Sequence, residues 1–118
     1  MTLEQTRATM DRYFELMDND EDFSALYADD ARWLMADTGQ EVHGRTEIRE
    51  YVNELHSRML SAEYRDMVVT EEQAYIEADA INANASNPGL SFLAVFDVSN
   101  GLITDIRCYG TLATLMET

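Results

Sequence analysis

The sequence predicts an α+β fold in which helices cover one face of a curved, mostly antiparallel sheet. Three observations predict it: a long helical apolar period at the N-terminus, several strand-like stretches in the second half, and a hairpin signal within residues 89–110. The hairpin is the strongest of these, because Ser99-Asn100-Gly101 separates two apolar stretches and Asn-Gly is typical of a tight turn. We expect one domain over residues 1–118, long enough to bury a core.

The first half of the chain contains three predicted helices and two short strands. Thr2 and Gln5 have the spacing of a capping box, and an apolar helical face follows as far as Met17. The remaining elements of this half are a helix over 21–27, a strand over 32–36, a return strand over 40–43 and a helix that begins at Gly44.

The second half is predicted to be mainly strands. The elements, in order, are strands over 64–71 and 75–83, a loop over 84–89, the two strands of the hairpin and a closing helical turn over 111–117.

Composition excludes several classes of partner. The formal charge is −15, from 23 acidic residues against 8 arginines and no lysine. A field of that sign repels nucleic acid and anionic lipid, so neither nucleic acid nor a membrane is an expected partner. The N-terminus lacks the apolar run of a signal peptide, and no stretch reaches membrane-spanning length. With Cys108 as its single cysteine, the chain fits a reducing cytoplasm.

The sequence contains no recognisable cofactor or metal motif. A glycine-rich phosphate loop, a nucleotide fingerprint and metal-ligand spacing are all missing, so we expect no cofactor and no metal. His43 is predicted to end a strand, and His56 to face solvent from its helix.

The order of elements and three segments resemble one superfamily. The segments are YFELMDNDEDFSALYADDARW, GRTEIREYV and LAVFDVSNGLITDIRCY. They are similar to NTF2-like proteins and, more narrowly, to SnoaL-like, ketosteroid-isomerase-like and limonene-epoxide-hydrolase-like enzymes. The resemblance implies a cone in which a curved sheet wraps around a long N-terminal helix, with two further helices and an apolar pocket open at one end. Activity does not follow, because this fold carries isomerases, hydrolases, cyclases, dehydratases and non-catalytic binders.

Compared with the ketosteroid isomerases, the chain keeps one functional position. The resemblance places Tyr13 on the oxyanion-hole tyrosine, whose hydroxyl would donate to a substrate oxygen. The general-base aspartate falls near Met35 and the second acid near Ala94, so isomerisation by that arrangement is not expected. The alternative is that Tyr13 is a core residue with its hydroxyl bonded to the backbone.

Compared with the epoxide hydrolases, the chain also keeps one polar position. Asp79 falls on the proton-donating aspartate. Glu77 replaces an arginine, and Cys108 replaces the second aspartate. Trp33 and Met35 replace the tyrosine and asparagine that hold the attacking water. The resemblance therefore supports the pocket geometry and argues against the hydrolase activity.

Alternation along the predicted strand 75–83 separates Glu77 and Asp79 from the alanines, and two interpretations remain open. In one, the alanines pack inward and both carboxylates face water. In the other, which the resemblance favours, the carboxylates face the pocket about 7 Å apart, where one pKa rises because both cannot easily ionise. Asp79 would then be the catalytic acid or base and Glu77 its charge partner.

The other candidate residues are apolar or weakly polar and are predicted to line a substrate pocket, the ordinary core, or both: Met17, Trp33, Met35, Tyr51, Leu55, Phe92, Phe96, Ile106 and Cys108. A lone buried cysteine such as Cys108 is more often a small apolar filler than a nucleophile.

These observations lead to two candidate functions and one prediction of assembly. The first candidate is a cofactor-independent enzyme that performs acid–base chemistry, by isomerisation, dehydration, cyclisation or epoxide opening, on a small apolar substrate. The alternative is a non-catalytic module for small-molecule binding or assembly, which needs shape and an apolar lining. An apolar stripe on the back of the sheet also predicts a homodimer through the outer sheet face: Leu93, Val95, Ile103 and Tyr109.

Overall fold

A curved, mixed sheet and two α-helices make up the described part of the chain. The computed structural model describes residues 2–82 and 90–110, and the predicted loop over 84–89 and closing turn over 111–117 lie outside these ranges. The helices are α1 (Leu3–Asp18) and α2 (Arg45–Ser57). The strands are β1 (Tyr27–Met35), β2 (Gln40–His43), β3 (Met59–Val69), β4 (Gln73–Asn82), β5 (Leu90–Ser99) and β6 (Leu102–Gly110). The predicted α+β class is confirmed.

Helix α1 begins at the predicted capping box. The Gln5 backbone N–H donates to the Thr2 hydroxyl over 3.1 Å, and the Thr2 N–H donates to the Gln5 side chain over 2.9 Å. The bond from Gln5 satisfies one of the N–H groups that a helix start leaves without intrahelical acceptors, and the return bond fixes Thr2 itself. The apolar face of α1 then buries Met10 and Tyr13 beneath the sheet, so the helix occupies the predicted central position.

The predicted second helix over 21–27 is wrong, which leaves one α-helix besides α1, rather than two, in the described residues. The segment forms only a 3₁₀ turn at Ser24–Leu26, where the Asp22 carboxylate accepts a hydrogen bond from the Ser24 N–H over 2.9 Å. Tyr27 already belongs to β1 and pairs with Ile103 of β6, so β1 begins earlier than predicted. A seven-residue helix is marginal without strong packing, and strand pairing prevails at its end.

The sheet order is β2-β1-β6-β5-β4-β3. Strands β1 and β6 are parallel and the other neighbouring pairs are antiparallel, so the mostly antiparallel sheet is confirmed. The predicted hairpin joins β5 to β6 through Asn100 and Gly101, whose φ angles are 53° and 77°. Two successive left-handed residues give the turn that matches the twist of the flanking strands.

The inner face of the sheet packs against the helices and carries the core. Apolar residues lie opposite one another on this face, such as Ile76 and Ala94, or Phe96 and Ile106. Ile103, predicted for the outer stripe, is instead fully buried in the core. The register of β5 and β6 shifts beyond Asp97, and a shift of one residue moves a side chain to the opposite face.

Candidate functional site

An interior cavity lies between α1, α2 and the inner face of the sheet. Its volume is about 40 Å³, which is small for a ligand site. The described residues that line it include no carboxylate and no arginine: Tyr13, Phe14, Met17, Trp33, Val52, Leu55, His56, Met59, Tyr64, Ile76, Phe92, Ala94, Phe96 and Cys108. The cavity is therefore small, mainly apolar and free of permanent charge along its described lining.

The structure brings seven of the predicted site residues to this cavity: Tyr13, Met17, Trp33, Leu55, Phe92, Phe96 and Cys108. Three others lie outside the lining. Met35 and Ile106 are fully buried within the core. Tyr51 is partly buried against the core, with its ring centre 6.2 Å from that of Trp33. Side chains on one predicted face can thus either line the cavity or be buried away from it. Periodicity alone does not distinguish these two positions.

Beside the cavity lies a pair of buried tyrosines, of which Tyr13 belongs to the lining. The Tyr13 and Tyr27 hydroxyl oxygens lie 2.5 Å apart, and both side chains have 1% exposure or less. Phe23 and Phe96 pack edge-on against the Tyr13 ring. Burial raises the pKa of Tyr13 well above 10, and the neighbouring Tyr27 raises it further, so both phenols keep their protons near neutral pH.

The two hydroxyls carry two O–H protons, and the hydrogen bond between them uses only one. Each phenol carries one O–H donor, and a single hydrogen bond joins the two oxygens. Neither hydroxyl bonds to any other group in residues 2–82 and 90–110. Either hydroxyl can be the donor of the shared bond, so one of the two O–H groups is left without an acceptor in the described residues. Of the two tyrosines, Tyr13 is the one that lines the cavity.

The other polar atoms of the inner wall are occupied or inert. The Trp33 indole N–H donates to the Met35 sulfur over 3.1 Å. The Cys108 thiol is 2% exposed, and burial raises its pKa far above the ordinary value. A thiol that stays protonated is a poor nucleophile, which agrees with the prediction that Cys108 is a small filler.

The mouth of the cavity contains a histidine that sequence reasoning assigned no role. His56 lies in the last turn of α2 and lines the cavity beside Met17 and Met59. Its solvent-exposed character is as predicted, but one side of the ring faces inward. In the helical period of α2, His56 follows the buried Leu55 and lies at the margin of the apolar face. This position is the one feature of the sequence that indicates a place beside the cavity.

Glu77 and Asp79 lie on the opposite side of the sheet from the cavity. Of the two interpretations, the one in which the alanines pack inward and the carboxylates face water is confirmed, and the one in which the carboxylates share an apolar pocket is wrong. Their side chains are 61% and 44% exposed, and the Arg65 guanidinium contacts them at 3.1 Å and 2.9 Å. Ala78, between them, points inward and is fully buried opposite Phe92. Alanines fit the inner face because bulky rings from β5 and α1 already fill the space in front of it.

Within the described residues, no group of three or more His, Cys, Asp or Glu side chains is arranged to hold a metal ion. The helices in these ranges are also too short or too polar to cross a membrane.

Comparison with known proteins gives one family match. A family model described as a SnoaL-like domain matches residues 10–106. No curated protein matches the sequence.

Solved structures share the fold. An NTF2-like protein of unknown function from Mesorhizobium loti is 16% identical, with a TM-score of 0.78 over 92% of each chain. A Kribbella flavida protein provisionally assigned as a ketosteroid isomerase is 21% identical, with a TM-score of 0.75 over 93% of this chain and 81% of that one. A de novo designed protein with a curved β-sheet is 16% identical, with a TM-score of 0.76 over 98% of each chain. At such identities the likeness concerns the fold and not the activity.

Proposed function

Because the chain belongs to the SnoaL-like domain family, whose fold positions a pocket without deciding its chemistry, we propose that it binds a small, uncharged, mainly apolar molecule in the interior cavity. The observation that carries this proposal is the buried Tyr13–Tyr27 pair, which has one O–H donor more than it uses and whose Tyr13 member lines a mainly apolar cavity. In the proposed complex Tyr27 donates to Tyr13, and the Tyr13 O–H donates to the ligand. A buried donor without an acceptor costs roughly 1–3 kcal/mol, and a ligand oxygen at this point removes that cost.

The lining supports an uncharged ligand. A charged group in this cavity would lose its hydration without meeting an opposite charge, because the described lining contains neither carboxylate nor arginine. The formal charge of −15 further disfavours anions around the protein.

The volume supports a ligand of only a few heavy atoms. A cavity of about 40 Å³ is well below the several hundred Å³ typical of drug-sized sites. Met17 and Met59 stand at the mouth and are only partly buried, and unbranched methionines adapt their shape most readily. Slightly larger ligands would enter by displacing these two side chains.

The test is an NMR titration with 2-pentanone, a neutral ketone of six heavy atoms, observed at the Trp33 indole. We expect weak binding that shifts the Trp33 resonance, and a loss of about two- to tenfold in affinity for Tyr13→Phe, because one neutral hydrogen bond contributes roughly 0.5–1.5 kcal/mol. Tyr109→Phe is the matched control, since it removes a hydroxyl from a half-exposed ring on the other side of the sheet. An unshifted Trp33 resonance, or equal affinity in Tyr13→Phe, would contradict the proposal.

A second candidate is acid–base catalysis on the same kind of molecule, favoured by the position of Tyr13. Its O–H would polarise a carbonyl or epoxide oxygen as that oxygen gains charge. Product analysis with small enones and epoxides tests this candidate. Turnover that falls in Tyr13→Phe and survives in Asp79→Asn would support catalysis inside the cavity, whereas turnover lost in Asp79→Asn would restore the outer carboxylates as the catalytic pair.

We also propose that a second copy of this chain packs on the outer face of the sheet. Leu93 and Tyr109 face each other across β5 and β6 there, and Tyr109 is 44% exposed, whereas Val95, also predicted for the stripe, is only 7% exposed. Arg32, Arg65 and Arg107 stand around the stripe, each ion-paired with carboxylates, so three of the eight arginines reduce the negative charge of this face. A second copy therefore meets less repulsion here than on an acidic surface without arginine.

Light scattering at micromolar concentration tests the dimer. We expect a dimer for the natural chain and a monomer for Leu93→Glu, which puts a charge into the stripe. Leu60→Glu is the control, because Leu60 is 73% exposed outside the stripe. A monomeric natural chain would overturn the proposal.

A further inference from the structure

His56 stands where the interior cavity opens to the surface. Two surface grooves flank it, one between α2 and the segment after α1, and one between α2 and β3. The residues common to both grooves and to the interior cavity are Met17 and His56. A molecule that enters the cavity from either groove therefore passes the His56 ring.

The His56 ring has hydrogen-bonding capacity that the described protein does not use. In residues 2–82 and 90–110, no side chain or backbone group bonds to either ring nitrogen of His56, whereas His43 contacts Glu41 at 3.2 Å. A neutral imidazole offers one donor and one acceptor nitrogen. The ring thus presents an unused acceptor at the mouth of a cavity whose lining includes Tyr13, the proposed donor to the ligand oxygen.

His56 is neutral in the pH range where an acceptor is needed. Partial burial lowers its pKa below 6.5, and the Asp18 carboxylate at the end of α1 acts in the opposite direction. The other charged or titratable groups that face it are Asp20, Glu21 and Asp22 after α1, Arg49 on its own helix and Tyr64 on β3. Below its pKa the ring carries two N–H donors and can no longer accept.

The rest of the described lining provides few acceptors for a ligand donor. The Trp33 N–H and Cys108 S–H are donors or weak acceptors, and the remaining side chains are apolar or aromatic. Tyr64 and His56 are both exposed side chains that can accept a hydrogen bond. They differ in position, because His56 borders the cavity and both surface grooves, whereas Tyr64 borders the cavity and only one of the grooves. His56 is therefore the better-placed acceptor for a ligand that reaches from Tyr13 to the mouth.

We propose that the ligand of this cavity is a two-ended neutral molecule, with an acceptor oxygen held by Tyr13 and a hydroxyl or N–H group that donates to His56. This inference rests on the proposed binding function and names the class of ligand. A hydroxy-ketone or hydroxy-ether of a few carbon atoms has the required polarity, with an apolar middle that matches the aromatic wall.

The experiment compares 4-hydroxy-2-butanone with 2-pentanone, which has the same number of heavy atoms and the same ketone but lacks the hydroxyl. Both are titrated by NMR at pH 8 and at a pH below the pKa of His56, which is located beforehand from the His56 ring-proton shifts. At pH 8 we expect the hydroxy-ketone to bind about two- to tenfold more tightly, the factor expected for one neutral hydrogen bond. At the lower pH the preference should shrink, because protonated His56 cannot accept.

Three variants locate the effect. His56→Phe should abolish the preference at both pH values while 2-pentanone still binds. His43→Phe and Tyr64→Phe should keep it, because His43 ends β2 away from the cavity and Tyr64 supplies no required acceptor. An equal affinity for the two ketones at pH 8, or a preference that survives in His56→Phe, would overturn this inference and leave the proposed function intact. Failure of both ketones to bind would overturn the proposed function and this inference with it.

Discussion

The two faces of β4 have the same spacing and opposite chemistry. On the inner face Ala74, Ile76 and Ala78 are at most 2% exposed, and their cross-strand neighbours on β5 are Phe96, Ala94 and Phe92. On the outer face Glu77 and Asp79 reach water and share the Arg65 guanidinium. The outer face of β4 therefore carries paired charges, and the inner face is buried and nearly free of polar groups.

This difference identifies which face is poised to bind something. Each charge on the outer face of β4 has a partner within hydrogen-bonding distance, so the array is satisfied without a ligand. The inner face is nearly apolar, yet the Tyr13–Tyr27 pair leaves one donor without an acceptor in the described residues. An unused donor in a buried place is better evidence for a ligand site than a dense cluster of exposed carboxylates.

We expect the largest change in stability when a charged side chain is placed on the inner face of β4, compared with the removal of a charge from the adjacent outer position. Ala78→Glu puts a carboxylate against Phe92 and Tyr64 with no cation in the cavity wall, and we expect a loss of more than about 3 kcal/mol in the free energy of unfolding. Glu77→Ala removes one exposed partner of Arg65 and should change it by about 1 kcal/mol or less. Urea denaturation of both variants measures the two values.

A milder inner-face variant keeps this comparison measurable if Ala78→Glu does not fold. Ala78→Leu adds apolar volume to a filled wall and should cost about 1–3 kcal/mol through overpacking. Similar losses at positions 77 and 78 would mean that the two faces are not as different as the structure indicates.

The sequence predicted most of the fold and only part of the site, for reasons that individual residues make clear. The capping box at Thr2 and the Asn100-Gly101 turn are local signals, and both are confirmed. The segment over 21–27 was predicted as a helix because Phe23, Leu26 and Tyr27 have apolar side chains, but the long-range pairing of Tyr27 with Ile103 decides its structure.

The orientation of β4 was the decisive ambiguity. Alternation showed that Glu77 and Asp79 share a face but not which face points inward, and alanine gives too weak a hydrophobic signal to settle it. The cross-strand position of Phe92 against Ala78 settles it, and register of that kind is a property of the folded chain. His56 was missed for a related reason, since its role follows from what α1 and β3 place around it.

The smallest expected effect tests whether the outer charges stabilise the fold. Asp97 accepts two hydrogen bonds from the Arg107 guanidinium, at 2.7 Å and 3.1 Å, and one from the Gln73 amide at 2.8 Å. The bonds from Arg107 are the main cause that lowers the pKa of Asp97 below 3.8, and the bond from Gln73 adds to it. A carboxyl group with a lower pKa in the folded than in the unfolded state stabilises the fold above the unfolded value and loses that contribution as the pH falls through the folded value.

We therefore expect Asp97→Asn to lower the free energy of unfolding at pH 7 by about 1 kcal/mol or less, since the carboxylate is partly exposed. The difference between the natural chain and the variant should shrink below about pH 4, and taking the difference cancels the titration of the other carboxylates. In an Arg107→Gln background the same substitution should have a smaller effect and a flatter pH profile, because the principal donor is gone. A pH-independent difference would mean that the ion pair between Asp97 and Arg107 does not stabilise the fold. Breaking this pair to bind a partner on the outer face would then cost no stability.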